Sequence, residues 1–283
     1  MRMIKKTVIV LSVVLVIGGV LFSMGSFIKK DFSLFSYSNS FGGSDQFLEK
    51  EVQEFSNIEV NIKSGDIIIE EGDVFSVKYN ISDKEKIQRL EVVDGTLYFV
   101  TEFDDLFGLS LNHGEVRITM PKGHNIGKLN LSSVDGDIKF SDRTIKNGIL
   151  NSVSGDIILD NITSDSINCE GISGDITLRN SIITQVIGNT TSSDISVDGS
   201  FLDVTLKSVS GDCHITSDRI KKMQIETVSG DIKTVTPSAS VRAKSFGEIS
   251  YNGNEQGFNF SIDGIDASLD LLSTSGEISI KTK

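Results

Sequence analysis

The sequence predicts an all-β protein, a β-solenoid (β-helix-like) of about 19-residue coils preceded by one N-terminal transmembrane helix. Three observations predict it. A Ser-Gly-Asp-Ile motif recurs at nearly constant spacing, apolar residues two apart flank each copy, and the first thirty residues hold an uncharged apolar run. Composition agrees. The 283 residues include 26 Gly, 2 Pro and no Trp, and Ala occurs only at Ala239, Ala243 and Ala267. A chain so short of the best helix former and rich in Ile, Val, Thr and Ser is not mainly helical.

The N-terminal element comes first. From Thr7 to Met24 eighteen positions pass without a charge, and Phe27 and Ile28 extend the run. Roughly 20 helical residues cross a bilayer core, so 1–28 read as a cytoplasmic tip and a membrane helix. Arg2, Lys5 and Lys6 precede the run and place the N-terminus in the cytoplasm, which exports the remainder. The alternative is a cleaved signal peptide with Ser23-Met24-Gly25 near the cut, although the run exceeds the usual ~7–15 residues. No Cys lies nearby to carry a lipid. Residues 29–50 have no clear period and read as a tether.

Charge divides the chain in two. The net charge is −12, yet the first thirty residues hold five bases and no acid, leaving 22 bases against 39 acids beyond them. A body at −17 is repelled by nucleic acid and by anionic lipid, both of which are bound through clustered Lys and Arg. Nucleic acid is therefore excluded as a partner.

The repeat sets the fold. Its marker acids are Asp137, Asp156, Asp175, Asp194, Asp212 and Asp231, spaced 19, 19, 19, 18 and 19. Glycines precede five of them, at Gly136, Gly155, Gly174, Gly211 and Gly230. An early copy stands at Gly65-Asp66, and degenerate copies at Gly247-Glu248 and Gly276-Glu277. Eight and six residues before the marker lie pairs such as Leu129/Leu131 and Val204/Leu206. Three before it are Val134, Val153, Ile172, Thr191, Val209 and Val228. One and three after it are pairs such as Ile138/Phe140 and Ile157/Leu159. This is the period-2 signature of strands, two per unit with a Ser-Gly-Asp turn between them. So small a unit buries its apolar face only by stacking on its neighbours. Propeller blades need about 40 residues, and the leucine-rich consensus is missing. Coils at about 4.8 Å give a rod of about eight coils, on the order of 40 Å long.

The array 122–283 is the solenoid proper, and 250–283 closes its far end. Residues 51–121 are expected to form an N-terminal β cap, since an open solenoid end is a sticky edge. Strand candidates there are 58–62, 67–70, 75–81, 90–93, 97–102 and 116–120. Asp94-Gly95 supplies a hairpin turn. Residues 83–89 suggest a short helical turn, and 104–114 a loop.

Through Val92-Val93-Asp94-Gly95-Thr96-Leu97, Val116-Arg117-Ile118-Thr119-Met120-Pro121-Lys122 and the Ser-Gly-Asp-Ile array, the chain resembles the bacterial "putative adhesin" domain of unknown function over about 50–283. The resemblance implies a solenoid domain on exported or membrane-anchored proteins, mostly of Gram-positive bacteria, some associated with cell-envelope stress responses. It implies no catalytic residue and no cofactor, and a shared fold does not settle function.

Candidate sites are few. The file of Asp137, Asp156, Asp175, Asp194, Asp212 and Asp231 invites a cation. Calcium, however, needs six to eight oxygens, and one Asp per coil is thin, so the expected role is to accept main-chain N–H bonds at the turns. Cys169 and Cys213 fall at inward positions two coils apart, roughly 9.6 Å of rise, beyond disulfide reach, and read as buried free thiols. His113, His124 and His214 form no metal or triad spacing. Arg179 and Arg219 sit at different repeat offsets, so no lyase-like acid–Arg cluster assembles. The favoured expectation is a single-pass membrane protein presenting a non-catalytic solenoid outside the cell. There it binds a protein or cell-wall polymer, or scaffolds the envelope. A self-associating rod and a surface-polysaccharide enzyme are the alternatives.

Overall fold

The structure is a computed structural model that describes residues 47–81, 85–103, 114–264 and 267–283. The expected membrane helix, most of the tether, the 104–114 loop except Gly114, and His113 lie outside the described residues. Among the described residues every regular element is a strand, and no helix is long and apolar enough to cross a membrane.

The first part of the chain carries β1 (Leu48–Glu51), β2 (Asn57–Ser64), β3 (Asp66–Gly72), β4 (Ser76–Asn80), β5 (Glu85–Val93), β6 (Thr96–Phe103), β7 (Glu115–Pro121) and β8 (Ile126–Asp135). Long bent strands follow: β9 (Ile138–Ser152), β10 (Ile157–Gly171), β11 (Ile176–Asn189) and β12 (Ile195–Ser208). Shorter strands finish the chain: β13 (Cys213–Ser217), β14 (Lys222–Thr227), β15 (Ile232–Thr236), β16 (Ser240–Lys244), β17 (Ile249–Tyr251), β18 (Asn254–Gln256), β19 (Asn259–Ile262), β20 (Ser268–Ser273) and β21 (Ile278–Thr282).

Each coil has two straight runs and two corners. One corner is the Ser-Gly-Asp turn. At the other, Asp142, Asn161 and Asn180 take left-handed φ of 58°, 54° and 52°, a conformation Asn and Asp tolerate best among side-chain-bearing residues. These residues also cross-link the stack, for Asn161 Nδ2 donates to Asp142 Oδ1 at 2.6 Å and Asn180 Nδ2 to Asp160 Oδ1 at 2.8 Å.

Coils stack in parallel and in register. Leu159 lies between Phe140 and Leu178, and the column continues through Val197, Ile215, Thr234 and Ile280. Identical slots therefore stack on one another, and the core is a continuous apolar seam between the two runs, from Ile58 to Ile280. One parallel stack reads β7–β3–β9–β10–β11–β12–β13–β15–β21–β17, ten strands against the eight coils expected. The two surplus strands, β7 and β3, come from residues 51–121, which add coils of their own on the same axis.

Both ends are interleaved. β2 pairs with β6 on one side and β8 on the other, so the 57–72 coil is a body coil, with the β6/β7 coil outside it. At the far end β20 pairs with both β14 and β16, and β21 with both β15 and β17. The last coil in sequence is thus second from the end in space, and β16/β17 form the outermost one. Antiparallel strands then close the stack: β5 on β6, β4 on β7 and β1 on β4 at one end, β19 on β16 and β18 on β17 at the other. An antiparallel partner needs only a tight turn, which lets a parallel stack finish without another crossover.

Two local expectations are corrected. Residues 85–89, read as part of a helical turn, are the start of β5, where pairing with β6 overrides local preference. Residues 48–50, assigned to the tether, belong to β1, which pairs with β4.

Candidate functional site

Two stacked surfaces run the length of the coils: the Ser-Gly-Asp edge and a groove along the opposite flank. At the edge, each marker carboxylate bonds to the coil above. The Asp137 N–H donates to Asp66 Oδ1 at 2.8 Å, Asp156 to Asp137 at 2.7 Å, and Asp175 to Asp156 at 2.8 Å. The chain of bonds continues from Asp194 to Asp175 at 3.0 Å, Asp212 to Asp194 at 2.7 Å, Asp231 to Asp212 at 2.8 Å and Glu277 to Asp231 at 2.7 Å. The acceptors serve the neighbouring coil rather than their own turn. One oxygen of each carboxylate is committed to this ladder, and Lys139 holds the second oxygen of Asp137 at 2.6 Å.

A second ladder runs just inside the first. In several coils a buried hydroxyl four residues before the marker caps its own turn, as in Gly155 N–H to Ser152 Oγ at 2.9 Å, Gly211 to Ser208 at 2.8 Å and Gly230 to Thr227 at 3.0 Å; Gly171 takes that place before Asp175. Ser133 Oγ also donates to the Gly65 carbonyl at 3.0 Å, and Ser273 Oγ to that of Gly230 at 3.1 Å. Ser133, Ser152, Ser208 and Thr227, which sequence reading passed over, point inward, while Val134, Val153, Val209 and Val228 beside them are half-exposed. The signal was there: four before the marker is in phase with the inward positions six and eight before it.

The glycines allow the turns to touch. A Cβ on Gly155 would lie 1.9 Å from the Gly136 carbonyl oxygen, and one on Gly174 2.0 Å from that of Gly155. Gly136, Gly211 and Gly230 are equally tight, and Gly65 is crowded by Gly114. Ser193 occupies this slot in one coil, buried, with its hydroxyl unpartnered.

The groove has a volume of about 530 Å³. Its floor and walls come from equivalent positions of successive coils: Thr144, Thr163, Ile182 and Ser200 in one column, Lys146, Asp165, Thr184 and Leu202 in the next. Arg219 borders it. The left-handed corner residues immediately precede these columns and set their direction, so the groove is a by-product of the repeat.

Other predicted residues lie apart. Cys169 and Cys213 are free, buried thiols on opposite runs of different coils, and burial pushes both up to about 12. His124 Nε2 bonds the Phe55 carbonyl at 2.7 Å and packs edge-on against Phe75, which ties the 122–125 turn to the end of the stack. His214 faces outward between Cys213 and Ile215. Arg179 pairs with Asp160 at 3.9 Å. Among the described residues no group of His, Cys, Asp and Glu could hold a metal ion.

Two buried charges escaped sequence reading. Arg143 stands in the slot that Ile162 takes one coil above. Its guanidinium is buried without a hydrogen bond, 3.8 Å from Glu71, and desolvation holds it below its usual value. Glu85, at the start of β5, has both carboxylate oxygens buried without a well-aligned donor. Burial pushes it up to about 7, against the opposing pull of Thr101, the Ser64 and Lys63 main chain and the Lys63 ammonium. Glu85 lies away from the groove, whereas Arg143 immediately precedes Thr144 of the groove lining but points into the interior.

The family model Toastrack DUF4097 matches residues 55–258. The chain is similar to the crystal structure of a "putative adhesin" from Bacteroides fragilis, at 15% identity over 85% of this chain and 98% of that one, with a TM-score of 0.47. It is also similar to a "putative adhesin" from Parabacteroides merdae, at 11% identity, 84% and 95% coverage and a TM-score of 0.48. A "putative lipid binding protein" from Parabacteroides distasonis is similar at 14% identity, 84% and 96% coverage and a TM-score of 0.36. Among curated proteins no sequence matches the chain.

Proposed function

The chain belongs to the Toastrack DUF4097 family, and from that premise we propose that it is a single-pass, membrane-anchored solenoid that binds an envelope polymer outside the cell without catalysis. The observation that carries this reading is the flank groove. Its lining repeats coil by coil, Thr144, Thr163, Ile182 and Ser200, at the inter-strand step of about 4.8 Å. A repeating surface of hydroxyls and small apolar groups, with Lys146, Asp165 and Arg219 at hand, suits an extended chain of repeating polar units better than a compact metabolite. Repeat proteins commonly use such elongated faces for binding. The apolar run 7–24 supports the anchor, and the acidic remainder supports export away from anionic lipid.

The test is in the cell. A photo-crosslinking residue at Ile182, in the middle of the groove, is expected to trap wall polymer on the full-length chain. The same probe at His214, on the other run, is not. Equal labelling at both positions, or none above background at Ile182, removes the groove from the function.

A further inference from the structure

Among the described residues four strands form the outermost edges of the stack: β1 and β5 at one end, β18 and β19 at the other. An edge strand offers unpaired N–H and C=O groups, and natural proteins guard such edges with charge. Three of the four are guarded. β1 reads Leu-Glu-Lys-Glu, β5 carries Glu85, Lys86, Arg89 and Glu91, and β18 carries Glu255. β19 reads Asn-Phe-Ser-Ile, follows Phe258 directly, and has no charge from 258 to 262.

We propose that β19 is a homodimerisation edge, pairing antiparallel with the β19 of a second copy of this chain about a two-fold axis at Phe260. The main chain sets the register. The Ser245 N–H donates to the Phe258 carbonyl at 3.1 Å, and β16 pairs Lys244 with Asn259 and Arg242 with Ser261. Hydrogen-bonding direction alternates along an antiparallel pair. Phe258, Phe260 and Ile262 therefore turn their main chain to β16, and Asn259 and Ser261 turn theirs to the free edge. Placing Asn259 of one copy opposite Ser261 of the other satisfies all four of these outward groups on each chain.

The side chains fit the same register. Phe260 packs on Tyr251 at 5.1 Å, towards the end of the core. Phe258 and Ile262 share its face but project past the core, 63% and 39% exposed. In the two-fold register Phe258 of one copy meets Ile262 of the other, which covers both. An antiparallel edge is self-complementary, so one sequence supplies both halves of a closed interface. This inference stands apart from the binding reading and does not use the groove.

The experiment uses the full-length chain in detergent and in membranes. The unmodified chain is expected to be dimeric by light scattering, and Ser261→Lys, which puts a charge on the edge without touching the core, to be monomeric yet still to unfold cooperatively, with a melting temperature that no longer varies with protein concentration. Register is tested by mixing Asn259→Cys with Ser261→Cys chains. A hydrogen-bonded pair holds Cα atoms about 5.5 Å apart, within disulfide reach, whereas residue 259 lies too far from its own copy. Oxidation should crosslink the mixture and neither variant alone, and the buried Cys169 and Cys213 do not compete. A monomeric unmodified chain, a dimer that survives Ser261→Lys, or equal crosslinking by a single variant overturns the proposal.

Discussion

The Asp156 main-chain N–H donates to Asp137 Oδ1 at 2.7 Å, so a carboxylate in one coil holds the backbone of the next. Asp156 repeats the act for Asp175 at 2.8 Å. Asp156→Ala removes that acceptor and is expected to cost about 0.5–1.5 kcal/mol, the net worth of a partly exposed hydrogen bond. Asp156→Asn keeps an acceptor oxygen and removes one charge from a like-charged file, so it should cost less. Thermal melts at low and high salt separate the two, and equal losses would mean that charge rather than the bond matters. Millimolar calcium should leave the melting temperature where EDTA leaves it.

Gly155→Ala drives a methyl group into the Gly136 carbonyl at 1.9 Å, backbone against backbone with no side chain to yield. A loss of more than about 3 kcal/mol, among the largest for a single substitution, is expected. Ser193→Gly works in the opposite direction by deleting a buried, unpartnered hydroxyl from the same slot. Its gain of about 1–3 kcal/mol is offset by about 0.5–1 kcal/mol of glycine entropy. A rise in melting temperature for Ser193→Gly beside a collapse for Gly155→Ala checks the stacking account.

Thr234 occupies the inward column between Ile215 and Ile280, and its hydroxyl is buried without a partner. Thr234→Val keeps the shape and removes the stranded polar group. Stability should rise by about 1–2 kcal/mol, read by denaturant unfolding.

Glu85 links stability to pH. Its carboxyl rises from 4.5 to about 7 on folding, so the folded chain keeps a proton that the unfolded chain releases between those values. The contribution is fully favourable below about 4.5 and is lost as pH climbs through 7, on the order of 3 kcal/mol in all. Glu85→Gln should flatten this decline and melt higher than the unmodified chain at pH 8. Parallel pH profiles for the two chains would refute the assignment.

Cys169 and Cys213, pushed up to about 12, present almost no thiolate at neutral pH. A thiol reagent should titrate neither until denaturant is added.

The coil repeat was legible because every coil spends the same residues in the same slots, and the stacked Leu159, Leu178 and Val197 declare it at a fixed interval. The ends were harder. Nothing local in Ile67–Glu70 says that its coil lies inside the one built by residues 96–121, because the order of coils is decided by which edges pair. The helical reading failed over 85–89 for the same reason, since β6 supplies what the segment lacks. Arg143 and Glu85 were invisible because burial is a property of the stack, and each looks like an ordinary surface charge in its own neighbourhood. The groove could be placed only once the corners at Asp142, Asn161 and Asn180 were known to be left-handed.

The interleaving of the last coils bears on how the protein is made. The ribosome delivers β16 and β17 before the β20/β21 layer that they rest on, and β14 and β16 present the same register to that layer, Met223 and Val241 both facing Leu269. A nascent chain halted before Ser268 therefore has a tip whose two sides match each other but lack the sheet meant to lie between them. Sealing that tip waits on β20 and β21. A truncated product announces itself through an unsealed end, the surface that chaperones and quality-control proteases engage.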